Sequence, residues 1–369
     1  MFTNFLHVSI PGRAVTGGLI SVNLVNLRDF GKGNYRQLDD YAFGSGGMLF
    51  AAPQLKAALD FAVMNHESSP ASSKPFVIYP SPQGVLITQE IIESLSHHEH
   101  VIIICGHYEG IDERFTERYV DLEVSAGDCV LTGGEIPAMM IIDSMSRLVP
   151  GVVGKSNAVI EDSFYRGMLD NPNYTRPALW EGLEVPEVLL SGNAGGITHW
   201  RRRIASQRTL TRRPDLISRA SIREYLSESV NIAVIAESEN LNLNGLYELS
   251  RAYDLGRPCI IAGSHELRAL IKAKYPEAKI FGNVRRVCEG KENLLVIKVF
   301  AGAKVNSNHS LEIKRICLEH DGAILFVFAE NENKLEAIAG ISGYIYERDI
   351  DIPLNIKIGI ALDKFLGKR

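Results

Sequence analysis

Three carboxylates lie close together in one stretch, Glu161-Asp162-Ser163-Phe164 followed by Leu169-Asp170-Asn171-Pro172-Asn173-Tyr174-Thr175-Arg176-Pro177. The stretch follows Gly151–Ile160, which is rich in Gly, Ser, Asn and Val without helical period and reads as an interdomain linker. Acids beside a linker are placed to take a proton from a substrate held between two domains. On the residues alone, Asp162 fits two roles equally: a general base, or the N-cap of a helix beginning at Ser163.

A second kind of chemistry is written in three glycine-bearing loops. They are Tyr79-Pro80-Ser81-Pro82-Gln83-Gly84, Gly106-His107-Tyr108-Glu109-Gly110-Ile111-Asp112-Glu113-Arg114, and Ala126-Gly127-Asp128-Cys129-Val130-Leu131-Thr132-Gly133-Gly134-Glu135. The first two follow strand-like runs and the third precedes a helical one. Ligands of open α/β sheets sit outside the carboxyl ends of strands, where glycine lets the backbone approach closely. The loops fit a nucleotide-like cofactor, with ordinary Gly-containing turns as the alternative. There is neither a G-x-G-x-x-G after a strand nor a GxxxxGK[ST], so the dinucleotide and P-loop classes are not supported.

A third feature is basic. His199–Arg223 holds eight arginines (201, 202, 203, 208, 212, 213, 219 and 223) against one acid, Asp215, in a chain of net charge -5. The planar guanidinium matches phosphate with two parallel hydrogen bonds. A merely solvated helical face would intersperse acids. Nucleic-acid binding is thus expected to be local, since the whole chain is acidic.

The elements that must position these groups follow from periodicity. Leu19–Leu27, Phe76–Tyr79 and Val101–Cys105 are predicted strands. Pro53–Met64, Thr88–Ser94 and Pro137–Leu148 have helical spacing, the last with an apolar face at Met140, Ile141, Met145 and Leu148. All-apolar strands alternating with amphipathic helices predict a parallel sheet covered on both faces. Asn65–Lys74 reads as a hydrophilic loop. Residues 161–228 read as helical, with turns at Asn171-Pro172 and Ser191-Gly192-Asn193. From about Val230 a second α/β pattern begins, with strands at Asn231–Ala236, Pro258–Ala262, Leu294–Phe300 and Ala323–Ala329. Helices are expected between them at Leu246–Tyr253, His265–Lys274 and Leu311–His320.

The chain has 369 residues, room for two or three domains. Five scattered cysteines with no CxxC pair favour neither zinc nor a disulfide framework, so no metal site is expected and a reducing cytoplasm fits best. No apolar run is long enough to span a membrane, and the amino terminus has no signal-peptide pattern.

CGHYEGIDER (Cys105–Arg114), GDCVLTGGEIPAM (Gly127–Met139), IDSMSRLVPGVVG (Ile142–Gly154), EDSF, YTRP and VPEVLLSGN (Val185–Asn193), in that order, resemble bacterial tRNA (guanine-N(1))-methyltransferases, members of the trefoil-knotted (SPOUT) class. The resemblance spans about residues 1–225. It implies an α/β fold with a knotted parallel sheet, an exception to the unknotted rule. It also implies a cytoplasmic homodimer with active sites between subunits, S-adenosylmethionine in the knot, and methyl transfer to the guanosine just 3′ of the anticodon in tRNA. A divalent-ion requirement stays open. By the match, Tyr79, Pro80, Gly106, Glu109, Ala126, Gly127, Asp128, Cys129, Val130, Leu131, Gly133 and Gly134 bind the cofactor. Asp162 takes the place of the general base. Arg147 matches an arginine that could stabilise charge on the guanine carbonyl, or be a surface arginine favoured by the helix dipole. Asp170, Tyr174 and Arg176 fall on the substrate side, joined by Arg201, Arg202 and Arg208 of the basic stretch.

The implied division is a knotted cofactor domain over 1–152, a linker over 153–161, a small helical tRNA-binding domain over 162–228, and a second SPOUT-like α/β domain over 229–369. Family members open with an apolar strand ending in a Phe-Pro-Glu-Met-Phe-like segment. This chain begins at Met1-Phe2, so the knot's first strand is expected to be missing and the native product longer. The Asp39–Met48 loop is one residue shorter than the family's and has Ala42 where proline is usual; Asn193-Ala194 replaces Asn-His. The last domain ends in Ile352–Leu362, a turn entering an apolar helix. Its Phe326–Leu335 segment lacks the glycines expected around its Glu, which leaves a second active site set against an RNA-binding or structural copy. A non-catalytic RNA-binding protein, or a knotted enzyme acting on ribosomal RNA, are the rival functions.

Overall fold

In the computed structural model, residues 1–44, 47–65, 74–153, 162–164, 167–226, 229–302, 309–346 and 353–367 are described. Most of the linker, Glu161 and most of the Asn65–Lys74 loop therefore lie outside the described residues. The chain divides into two compact units, Met1–Glu161 and Asp162–Arg369.

The first unit is built on a three-stranded parallel sheet. Its strands follow a hairpin of β1 (Asp39–Tyr41) and β2 (Met48–Phe50). They are β3 (Phe76–Leu86), β4 (Val101–Ile103) and β5 (Leu122–Ser125), in the order β4-β3-β5. Alternation along β3 divides the core. Val77 and Tyr79 pack on one face with Leu55, Ile111 and Phe115; Ile78 packs on the other with Ile92, Leu95, Val124 and Ile141. Each such fully buried aliphatic side chain contributes about 1.5–3 kcal/mol. Helices Ala52–Met64, Gln89–Ser96 and Glu135–Leu148 form as their spacing requires. Thr88 caps the second, its side chain accepting from Ile91 N–H (3.4 Å).

Three expectations are corrected here. Leu19–Leu27 forms no strand: it has no ladder partner among the described residues, and Leu19 and Leu24 are exposed. A strand needs a neighbour as well as an alternating pattern. Tyr79–Gly84 is not a loop beyond a strand but part of β3, whose pairing with β5 shifts register between Pro80 and Val85. On the Glu135–Leu148 helix, Met140 faces solvent, and Pro137, Ala138, Ile141 and Ser146 are the buried residues.

The second unit opens with turns and a two-residue-strand hairpin, β6 (Leu179–Trp180) and β7 (Leu183–Glu184), which the sequence reading missed. Glu181 and Gly182 make its turn, both at positive φ (50° and 80°). The long helix Ala194–Arg212 follows, capped by Asn193, whose side chain accepts from Gly196 N–H (3.0 Å). Beyond it is a six-stranded parallel sheet of β8 (Val230–Ile235), β9 (Cys259–Ile261), β10 (Lys279–Phe281), β11 (Leu295–Gly302), β12 (Ile324–Ala329) and β13 (Ile341–Tyr346). The order is β10-β9-β8-β12-β11-β13. Helices Leu243–Ala252, His265–Lys274, His309–Glu319 and Leu354–Leu366 lie where the pattern places them. Met168, Ile217, Ala220 and Ile222 share one buried core with Ile232, Phe326 and Phe365. The turn-rich and helical segment before the sheet is thus packed on it.

Candidate functional site

In the first unit, Tyr79 and Pro80 within β3 meet the loops that follow β4 and β5, and those two loops lie beyond the carboxyl ends of their strands, where ligands of open α/β sheets sit. Tyr79 is buried, and its burial, with Glu123 adding to it, pushes its hydroxyl above the ordinary tyrosine range. Pro80 is buried beside it and pairs with Val124 of β5. Gly106 fits against the Tyr79 ring: a Cβ there would stand 3.0 Å from the ring. Gly134 N–H donates to the Gly106 carbonyl (2.9 Å). A Cβ on Gly134 would lie 2.9 Å from Cys105 Cα, so the two loops meet this closely because position 134 is glycine.

His107 and Glu135 lock the same junction. His107 pairs with Gly133 as an isolated bridge, and its Nε2 lies 2.5 Å from Glu135 Oε1. Sequence reasoning gave neither side chain a role, although both lie inside the quoted loops. Glu135 begins the following helix, where a carboxylate is favoured by the dipole. Glu109 is exposed on the β4 loop, and a Cβ on Gly47 would run into its side chain, so the β2 hairpin closes over this loop. Its N–H donates to the Met48 carbonyl (3.2 Å).

Ala126–Leu131 forms the loop after β5. Gly127 sits at φ 151°, a conformation open to glycine, and Ser125 Oγ donates to its carbonyl (3.0 Å). Asp128 and Cys129 are exposed, and Val130 and Leu131 present apolar side chains to solvent, Val130 at 87%. Uncovered aliphatics beside close backbone approach suit a flat heterocycle. Burial, with Glu135 adding to it, pushes the Cys105 thiol up to about 12, which disfavours the thiolate. Arg147 is half-buried in the last turn of the Glu135–Leu148 helix.

In the second unit, Asp162 is exposed and opens a closed loop. Ser163 Oγ accepts from Asp170 N–H (2.9 Å), and Phe164 N–H donates to the Met168 carbonyl (2.7 Å). No helix starts at Ser163, and Phe164 has φ 74°, so the N-cap alternative for Asp162 has no helix to cap. Asp170 accepts from Asn171 N–H (2.6 Å) and from the Asn173 amide (3.4 Å). Tyr174 lies 6.3 Å, ring to ring, from Trp200 on the long helix, and Arg176 is exposed.

The basic stretch divides by role. Arg201, Arg202 and Arg203 are exposed on the helix and Arg208 is half-buried. Arg202 lies 4.0 Å from Glu224 and lines a cleft of about 420 Å³ with Thr198, His199 and Arg203. Arg213 holds Asp215 through two bonds (2.9 and 2.7 Å), which keeps that carboxyl below its usual range. Arg223 is structural: its guanidinium donates twice to the Asp254 carbonyl (3.2 and 2.8 Å).

At the carboxyl end of the second sheet, Glu330 accepts from Glu237 N–H, from Ser238 N–H (2.9 Å) and from the Ser238 hydroxyl (3.1 Å). A side chain of the protein thus fills the space between the ends of β8 and β12. Among the described residues, no group of three or more His, Cys, Asp or Glu could hold a metal ion, and no helix is long and apolar enough to cross a membrane.

The family model described as "tRNA (Guanine-1)-methyltransferase TrmD" matches residues 1–219. A tRNA (guanine-N(1)-)-methyltransferase of Moorella thermoacetica is 49% identical over 233 residues, covering 62% of this chain and 92% of that protein. One of Bacillus pumilus is 49% identical over 217 residues, 59% of this chain and 87% of that protein. One of Chlamydia pneumoniae is 35% identical over 341 residues, 92% of this chain and 81% of that protein, so that similarity runs on past residue 219.

Proposed function

The chain belongs to the tRNA (guanine-1)-methyltransferase family, and on that premise we propose that it methylates N(1) of the guanosine immediately 3′ of the anticodon in tRNA, using S-adenosylmethionine. The observation that carries the reading in the structure is the junction of Gly106, Gly134 and Tyr79 beside exposed Val130 and Leu131. A Cβ at Gly106 or Gly134 would strike the Tyr79 ring or the Cys105–Gly106 backbone, so the two glycines let the loops close. The closed loops are the cradle in which we place a heterocycle, held by backbone groups with the exposed aliphatics to cover it. S-adenosylmethionine, when bound, supplies an electrophilic methyl group. Tyr79, Pro80, Gly106, Gly133, Gly134 and the Ala126–Leu131 loop would hold it, with Glu109 toward its amino-acid end.

Guanine N(1) carries a proton that must leave as the methyl arrives. Asp162 accepts it; a carboxylate is a weak base, so its position must supply the effectiveness. Arg147 stabilises negative charge growing on the guanine carbonyl oxygen. Asp170, Tyr174 and Arg176 contact the substrate, and Arg201, Arg202 and Arg208 hold phosphates, which position the RNA without reading its sequence. The target base is turned out of its stack.

The same reading includes a trefoil knot in the first unit's sheet, a knotted copy in the last about 140 residues, a homodimer, and a cytoplasmic location. Glu330, seated between β8 and β12, supports a structural or RNA-binding part for that copy. The test is transfer of a radiolabelled methyl group from S-adenosylmethionine to bulk tRNA and, separately, to ribosomal RNA. Label in tRNA alone is expected; label in ribosomal RNA alone, or in neither, overturns the proposal.

A further inference from the structure

We propose that Thr209 is a positioning residue that fixes the Asp162–Asp170 carboxylate loop on the arginine helix, so that phosphate binding and proton removal share one rigid frame. The proposal rests on Asp162 being the base.

Thr209 is fully buried in the last turn of the Ala194–Arg212 helix, directly after Arg208, on the helix that carries the arginines assigned to phosphate. Its hydroxyl is used in both directions. Oγ1 donates to the Ala205 carbonyl one turn back (2.8 Å) and accepts from Leu169 N–H (2.9 Å). The first bond fixes the rotor, so the lone pair aims at the loop. Leu169 directly precedes Asp170, whose own N–H donates to Ser163 Oγ, directly after Asp162. One hydroxyl therefore holds the Leu169 peptide, next to one carboxylate, and a second joins Asp170 to the residue next to the other.

The loop is also held from behind. Met168 is buried in the core shared with the C-terminal sheet. Gly167 has φ 73°, and a Cβ there would stand 2.9 Å from Ala220 Cα. The Phe164 ring lies 5.9 Å from the guanidinium of Arg213, which caps the helix four residues after Thr209. These contacts fix where the loop sits. The Thr209 bond fixes the peptide next to Asp170 to the helix, and a displacement of about 1 Å can cost about a hundredfold in rate.

The experiment uses the full chain, a tRNA transcript and S-adenosylmethionine, with Thr209→Val, Thr209→Ser, Ser163→Ala and Asp162→Asn. Valine keeps the shape and removes the hydroxyl; serine keeps the hydroxyl. Thr209→Val should lower kcat about tenfold or more, while KM for tRNA and the Kd for S-adenosylmethionine stay within about threefold. Thr209→Ser should restore kcat to within about threefold of the wild type. Ser163→Ala, on the accessible side of the loop, should lower kcat in the same way, and it decides the matter if Thr209→Val does not fold. A wild-type kcat in Thr209→Val or Ser163→Ala, a rise in KM alone, or a folded Thr209→Ser no better than valine overturns the proposal. Asp162→Asn separates the two claims. Wild-type kcat in that variant removes the base assignment; an inactive Asp162→Asn beside an unimpaired Thr209→Val removes only the positioning role.

Discussion

Gly134→Ala isolates the glycine junction. The new Cβ would stand 2.9 Å from Cys105 Cα and 3.1 Å from Gly106 N. Carbon atoms rest at about 3.5–4.0 Å, so the loops must part by at least about 0.6 Å. Both obstacles are backbone, so no rotamer change relieves them. Parting also weakens the Gly134–Gly106 hydrogen bond, now 2.9 Å. Overpacking costs about 1–3 kcal/mol and a hydrogen bond about 1 kcal/mol, together about 2–4 kcal/mol. If the strain is felt where the cofactor binds, affinity falls about 30- to 700-fold, at about 1.4 kcal/mol per tenfold. Titration calorimetry with S-adenosylmethionine reads this directly. Gly192→Ala is the control: φ is 72° and nothing lies within 4 Å, so its local strain should leave cofactor affinity unchanged. A Gly134→Ala protein that is folded and binds within about threefold of the wild type would refute the cradle.

Two further outcomes follow from charge. Lys314 is buried with Nζ donating to the Ser218 (3.1 Å) and Ala220 (2.7 Å) carbonyls, and burial pulls its amine down to about 8 from 10.5, with Asp363 opposing. The folded chain then sheds this proton before the unfolded one, so its contribution to stability is lost as pH falls through about 8 and fully present above about 10.5. Urea unfolding should show the wild type gaining about 2–3 kcal/mol on Lys314→Met between pH 7 and pH 10, and a flat difference would contradict the assignment. Arg201→Gln with Arg202→Gln should raise KM for tRNA, leave kcat and cofactor affinity unchanged, and flatten the salt dependence of tRNA binding by about 1.5 in slope; an unchanged slope would remove these arginines from the phosphate contacts.

The central strands were legible because their residues are apolar on both faces: Val77 and Ile78, or Ala233 and Val234, pack on opposite sides of their sheets. The edges were not. Lys279–Phe281 is too short to show a period, and Ile341–Tyr346 carries Ser342-Gly343, which reads as a turn. Gly343 is there for packing, since a Cβ would stand 3.2 Å from the Phe365 ring. Leu19–Leu27 alternates like a strand but finds no partner among the described residues. In the candidate site, spacing located the glycine loops but could not show that Gly106 and Gly134 touch, because that contact crosses from one loop to another. Thr209 was hidden among arginines; the one available signal was its place on the same helical face as Ala205, four residues earlier. That the turn-rich segment and the last sheet share a core depends on Met168 and Ile217 meeting Phe326, which no local pattern reveals.

Nucleoside mass spectrometry of a tRNA transcript incubated with S-adenosylmethionine and either the wild-type chain or Asp162→Ala tests the central claim most directly. The wild type should convert the guanosine 3′ of the anticodon to N(1)-methylguanosine. The variant should yield almost none while binding the cofactor as well as the wild type. Methylation at another atom, or equal product from both proteins, would contradict it.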